Sequence, residues 1–126
     1  MTILSAKEYS SKLRVSIQSS GRLSFAEETA RVLKLSEAMY VKFGQDDKDS
    51  RLLYLIRPLE KDDDCFEVRT SGKYYYVPTK SLFDALGIEY GEDSMCMYSL
   101  IREPSMDKDA GGTVYRMQLR TDIENI

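Results

Sequence analysis

The sequence predicts an α+β fold, mostly β, in which two ββαββ units interleave into one barrel with pseudo-two-fold symmetry. Three observations lead there. Apolar and polar residues alternate on both sides of a Ser-Gly-basic turn in residues 15–25 and again, 51 positions later, in residues 66–76. A short helical pattern of the same size follows each of these stretches, and a second pair of strand patterns follows each helix. Finally, 126 residues can support one core, whereas halves of roughly 55 residues are marginal alone and leave sheet edges open, so the halves must share it.

Taken in order, Val15-Ser16-Ile17 and Leu23-Ser24-Phe25 read as a hairpin around Gly21, which supplies the positive φ of the turn. Residues 26–35 follow as a helix with Glu27 and Glu28 in its first turn and Arg31 later, matching the macrodipole. Strands at 39–43 and 52–56 flank a polar loop. In the second copy the hairpin turns at Gly72. Its helix covers 79–88, N-capped by Thr79 and stopped by Gly87, and strands at 94–101 and 114–119 flank a loop holding Pro104 and Gly111-Gly112. Leu33, Leu35, Leu86 and Ile88 are expected in the core, anchoring the helices. The organisation is therefore an N-terminal extension (1–12), a first repeat (13–58), an acidic linker (59–64), a second repeat (65–120) and a C-terminal tail (121–126).

The composition, 42% hydrophobic and 31% charged with three Pro and seven Gly, excludes disordered and collagen-like chains. There is no His, and Cys65 and Cys96 are not in a C-x-x-C pair. His-based metal sites, Ser-His-Asp and Cys-His nucleophiles and zinc modules of the usual spacing are thereby excluded; the cysteines are expected as reduced thiols in small apolar holes. The acids Asp46, Asp47, Asp49, Asp62, Asp63 and Asp64 lie in loops without EF-hand spacing, so neither cofactor, metal nor catalysis is expected. No apolar run nears the ~20 residues of a membrane span, and the N-terminus lacks a basic and apolar leader; the chain reads as cytoplasmic.

Net charge is −3, unevenly spread. Residues 1–60 hold ten bases against eight acids, a net of +2, and residues 61–126 hold eight against thirteen, a net of −5. Residues 12–34 alone carry five bases against two acids, a net of +3. Local patches rather than the net charge decide where a polyanion docks.

These residues resemble the AbrB-type swapped-hairpin transcription factors, which include MraZ-like proteins. The first copy is similar from Val15 through Gly21-Arg22 and Leu33-Lys34-Leu35 to Arg57-Pro58, and the second from Phe66 through Gly72-Lys73, Leu86-Gly87-Ile88 and Gly91-Glu92-Asp93 to Leu119-Arg120. The chain departs from the family at Ala26 (usually Pro) and Lys34 (usually Gly). It also lacks the Asp-x-x-x-Arg element, with Gln18 and Arg69 at the acid positions. The resemblance implies a DNA-binding transcriptional regulator that docks basic hairpin and helix residues on DNA: Lys12, Arg14, Arg22, Arg31, Lys34, Arg69, Lys73 and Lys80, with Arg22 and Lys73 at the hairpin tips and the first hairpin dominant. In Tyr74-Tyr75-Tyr76, alternation sends Tyr75 opposite to its neighbours, and it is the candidate for base stacking. The competing reading is a protein-interaction or assembly module, or an antitoxin-like protein with an acidic tail at Asp122 and Glu124, that binds a protein partner or self-associates.

Overall fold

Nine strands, all paired antiparallel, follow one another around a nearly closed barrel in the computed structural model, which describes residues 1–91 and 96–120, the side chains of Glu8 and Tyr9 excepted. The order along the chain is α1 (Ala6–Ser10), β1 (Arg14–Ile17), β2 (Leu23–Phe25), α2 (Glu27–Val32), β3 (Tyr40–Gln45), β4 (Leu53–Pro58), β5 (Phe66–Glu67), β6 (Arg69–Ser71), β7 (Tyr74–Val77), α3 (Lys80–Ala85), β8 (Cys96–Arg102), a 3-10 turn (Pro104–Met106), α4 (Asp107–Ala110) and β9 (Gly112–Leu119). The fold is α+β, mostly β. Among the described residues no helix is long and apolar enough to cross a membrane.

The strand order is β5-β3-β4-β9-β8-β1-β2-β7-β6. Its two ends are neighbours in sequence, separated only by Val68, so one stretch pairs through β5 with β3 and through β6 with β7. Val68 lies at the changeover. Its side chain is buried and its N–H donates to the Met39 carbonyl at 2.9 Å. The sheet thus returns on itself in a staggered seam.

Alternation sorts the faces. Val15, Ile17, Leu23 and Phe25 point into the core, and Ser16 and Ser24 between them point out. Strand β8 is buried nearly throughout, because α1 lies against its outer side and the Ser11 hydroxyl donates to the Leu100 carbonyl at 2.7 Å. Phe43 packs edge-on against Phe66 and Phe83, with ring centroids 5.2 Å and 6.0 Å away, which ties β3 to the seam and to α3.

The helices depart from expectation in four places. Leu33 and Leu35 are buried as expected, but Leu86 and Ile88 are only half-buried against the core, and α3 is anchored by the fully buried Phe83 instead. Thr79 stands at the N-cap of α3 as expected, but its hydroxyl makes no capping bond: it accepts from the Leu23 N–H at 3.0 Å and lies 3.0 Å from the Gly21 carbonyl. The loop after β8 contains the 3-10 turn and α4, short helices whose few residues carry no apolar periodicity. Helix α1 likewise falls within the extension expected at 1–12. Cys96 is buried, while Cys65 sits half-exposed in the acidic loop, where the Asp62 N–H points at its Sγ from 3.4 Å. The Glu92-Asp93 turn, the expected start of β8 at Ser94-Met95 and the tail acids Asp122 and Glu124 lie outside the described residues.

Lys34 and Gly87 occupy corresponding places after α2 and α3, and both have positive φ, 55° and 70°. A side chain there crowds the backbone by about 1–2 kcal/mol. Replacing Lys34 with Gly should therefore raise stability by about 0.5–1 kcal/mol, the gain being trimmed by glycine's greater freedom in the unfolded chain, and chemical denaturation measures it. Phe83→Ala should cost about 3–5 kcal/mol, well above Leu86→Ala.

Asp107 accepts from Arg102 at 2.7 and 2.8 Å and from the Val114 N–H at 2.9 Å, which together hold its carboxyl below the ordinary value of 3.8. Its contribution is complete above that ordinary value and drains as pH falls through the lowered one. Asp107→Asn should accordingly flatten the acid limb of a stability-against-pH curve.

Candidate nucleic-acid interface

The two hairpins with similar sequences turn differently. In the first, cross-strand pairing stops at Ile17 and Leu23, and residues 18–22 form a compact loop closed by bonds from the Gln18 N–H to the Arg22 carbonyl (2.9 Å) and from the Gly21 N–H to the Gln18 carbonyl (2.8 Å). That loop is pressed on α3: a Cβ on Gly21 would come within 2.8 Å of the Lys80 side chain and 2.7 Å of the Tyr90 hydroxyl. The second hairpin pairs out to Ser71 and Tyr74 around Gly72-Lys73. Among the described residues nothing approaches a Cβ on Gly72 within 4 Å.

All three residues of β6 are exposed, as are Gly72, Lys73 and Tyr74; β7 still pairs with β2 from Tyr75 to Val77, so this hairpin is a two-stranded ribbon along the outer edge of the sheet, of which the tip, residues 71–74, runs on beyond β2. It offers Arg69 and Lys73, with no acid between them and with no ion pair to either among the described residues. Tyr74 is 70% exposed, whereas Tyr75 packs against the core opposite Thr70. The aromatic available for stacking is therefore Tyr74, because pairing fixes the parity that sends Tyr75 and Val77 inward. Sequence alternation separates Tyr75 from its neighbours without saying which side is the core.

The other expected bases are dispersed. Arg22 turns back: its Nε–H donates to Gln18 Oε1 at 2.6 Å and its guanidinium lies 4.4 Å from the Tyr76 ring centroid. Lys80 pairs with Asp84 at 2.6 Å, and the Tyr90 hydroxyl also binds Asp84; Lys80 first and Tyr90 second hold that carboxyl below its ordinary value. Arg31 faces Glu28 at 3.6 Å, one turn along the exposed side of α2. Lys34 lines a groove of about 390 Å³ with Val32, Tyr40, Arg57 and Leu59. Lys12 is exposed just before β1, and the half-buried Arg14 binds the carbonyls of Ser11 and Leu13. The bases thus form no single face; Arg69 and Lys73 share the ribbon, and Arg22 and Lys80 share a cleft at its foot.

That cleft, of about 1310 Å³, lies between the first hairpin's loop and the start of α3. Ser16, Tyr76 and Met97 form its floor from neighbouring strands, with Tyr76 directly opposite Arg69 of the ribbon. Residue type alone gave no signal for this site, since its lining residues come from three separate stretches of sequence. Among the described residues no group of three or more Cys, Asp or Glu side chains could hold a metal ion.

Comparison with protein-family models, with curated proteins and with solved structures found no match.

The buried Thr79 hydroxyl joins the first hairpin to α3 and so sets the cleft's width. Thr79→Val strands the Leu23 N–H and the Gly21 carbonyl and should cost about 1–3 kcal/mol in a denaturant melt, with Thr79→Ser losing much less.

Proposed function

We propose that the chain is a DNA-binding regulator built from two swapped-hairpin units, and that it presents the β6–β7 ribbon to the major groove. The two-unit reading is supported by the strand neighbours. Exchanging β1, β2, β3 and β4 with β5–β6, β7, β8 and β9 respectively reproduces the same set of pairings: β1 with β8 becomes β5 with β3, β1 with β2 becomes β6 with β7, and β2–β7 and β4–β9 map onto themselves. Each leading hairpin thereby pairs with the other half.

The observation that carries the DNA reading is the ribbon itself. A two-stranded antiparallel ribbon fits the major groove, and this one offers Arg69 and Lys73 for phosphates or base edges together with the exposed Tyr74. Three-residue β6, bare of acids and with β7 its one strand partner among the described residues, has little to contribute to the core.

Retardation of random-sequence duplex at rising salt is the test. Affinity should fall steeply with salt, and the double change Arg69→Ala with Lys73→Ala should lower the logarithmic slope by about two phosphate contacts, roughly 0.9 each. Tyr74→Ala should weaken binding with the slope intact. If the unaltered protein retards nothing at low salt, the better reading is a protein-interaction module, for which the acid-rich second half and the exposed Val32 and Leu59 beside the 390 Å³ groove speak.

A further inference from the structure

We propose that the cleft between the first hairpin's loop and α3 is a phosphate-binding site. It stands apart from the ribbon reading, because it uses neither Arg69 nor Lys73. In a chain with 21 acids and 18 bases, the described side chains lining this cleft include no acid; they include Arg22, Lys80, Gln18, Thr79 and the serines at 16, 19, 20 and 81. Phosphate calls for such a set: a guanidinium fork, an ammonium and hydroxyl donors.

Apart from Thr79, whose hydroxyl is bound to the first hairpin, and Lys80, which faces Asp84, the donors are largely uncommitted. Arg22 spends its Nε–H on Gln18, and stacking on Tyr76 fixes the plane of the guanidinium; its two terminal nitrogens have no acceptor among the described residues. The hydroxyls of Ser19, Ser20 and Ser81 likewise have no partner among the described residues. Lys80 is held by Asp84 and the Tyr90 hydroxyl in an exposed cluster, which an incoming dianion can share. Glu92 and Asp93, which follow the lining residue Gly91, lie outside the described residues.

The second hairpin has no equivalent of this site. Glu27 and Glu28 open α2 where Lys80 and Ser81 open α3, and the Gly72 turn has no helix against it. Among the described residues there is therefore no second cleft of this kind at the other hairpin.

The phosphate could belong to a free ligand or to a DNA backbone, and the experiment separates these. Isotope-labelled protein is titrated with inorganic phosphate, with a nucleoside monophosphate and with a short duplex, following the Arg22 Nε–H and the Ser19 and Ser20 amides by NMR. Saturable shifts are expected, and Arg22→Ala should weaken them about tenfold, the loss of one charge-assisted contact. Ser19→Ala with Ser20→Ala should weaken them less, Lys12→Ala not at all, and retained spectral dispersion checks that each variant is folded. Shifts with phosphate or nucleotide that persist in the Arg69→Ala, Lys73→Ala protein identify a free ligand. Shifts with duplex alone identify a backbone phosphate. No saturable shift with any of the three probes, or shifts undiminished in Arg22→Ala, would overturn the proposal.

Discussion

The antiparallel seam at residues 66–71 is the constraint on which the rest of the structure depends. Without it, β3 and β7 would each expose an edge, and an open edge is a template for aggregation. Closure at Val68 also forces partners from distant parts of the chain together: Ile17 lies opposite Cys96, and Leu53 opposite Met117. Such pairings must await loop closure over most of the chain's length, so the topology carries a slow-folding signature that its small size would not announce. The core residues are hydrophobic enough to compensate, since each fully buried Leu, Val or Phe side chain contributes about 1.5–3 kcal/mol.

The same closure explains what could be read from sequence and what could not. Alternation at Val15, Ile17, Leu23 and Phe25 is a local property, and the hairpin stands where it predicts. The helices after each hairpin are local too, and both appear within residues 26–35 and 79–88. What depended on contacts between distant residues was hidden. Thr79 reads as a cap by type and position, yet its hydroxyl is captured by the backbone at Gly21 and Leu23, fifty-odd residues earlier. Tyr74 and Tyr75 differ in exposure because pairing sets the inward face, and Arg22 turns back because Tyr76 lies beside its turn. The short helices after β8 escaped because four-residue segments are too short to show a period.

Charge follows a similar logic. Residues 12–34 carry a net of +3, yet folding spreads their bases among α2, the first hairpin and the approach to β1. The acid-rich second half, in contrast, places two bases on a ribbon with no acid between them. A linear charge count thus ranked the halves by abundance, whereas presentation depends on turn length. Two residues at Gly72-Lys73 let β6 and β7 pair through Ser71 and Tyr74, one rung past the end of β2, and five at 18–22 fold back on α3.

The loop that leads into the seam crosses from one half to the other only once, through the acidic stretch at 59–64, and is clipped to the barrel by the Lys42–Asp62 ion pair. Because β1 and β2 pair with β8 and β7, and β4 with β9, the halves are held by ladders rather than by this connection. A chain severed in the loop would keep every ladder intact. The molecule is in that sense a ready-made pair of complementing fragments, whose reassembly from separate polypeptides could report on the proximity of whatever each is fused to.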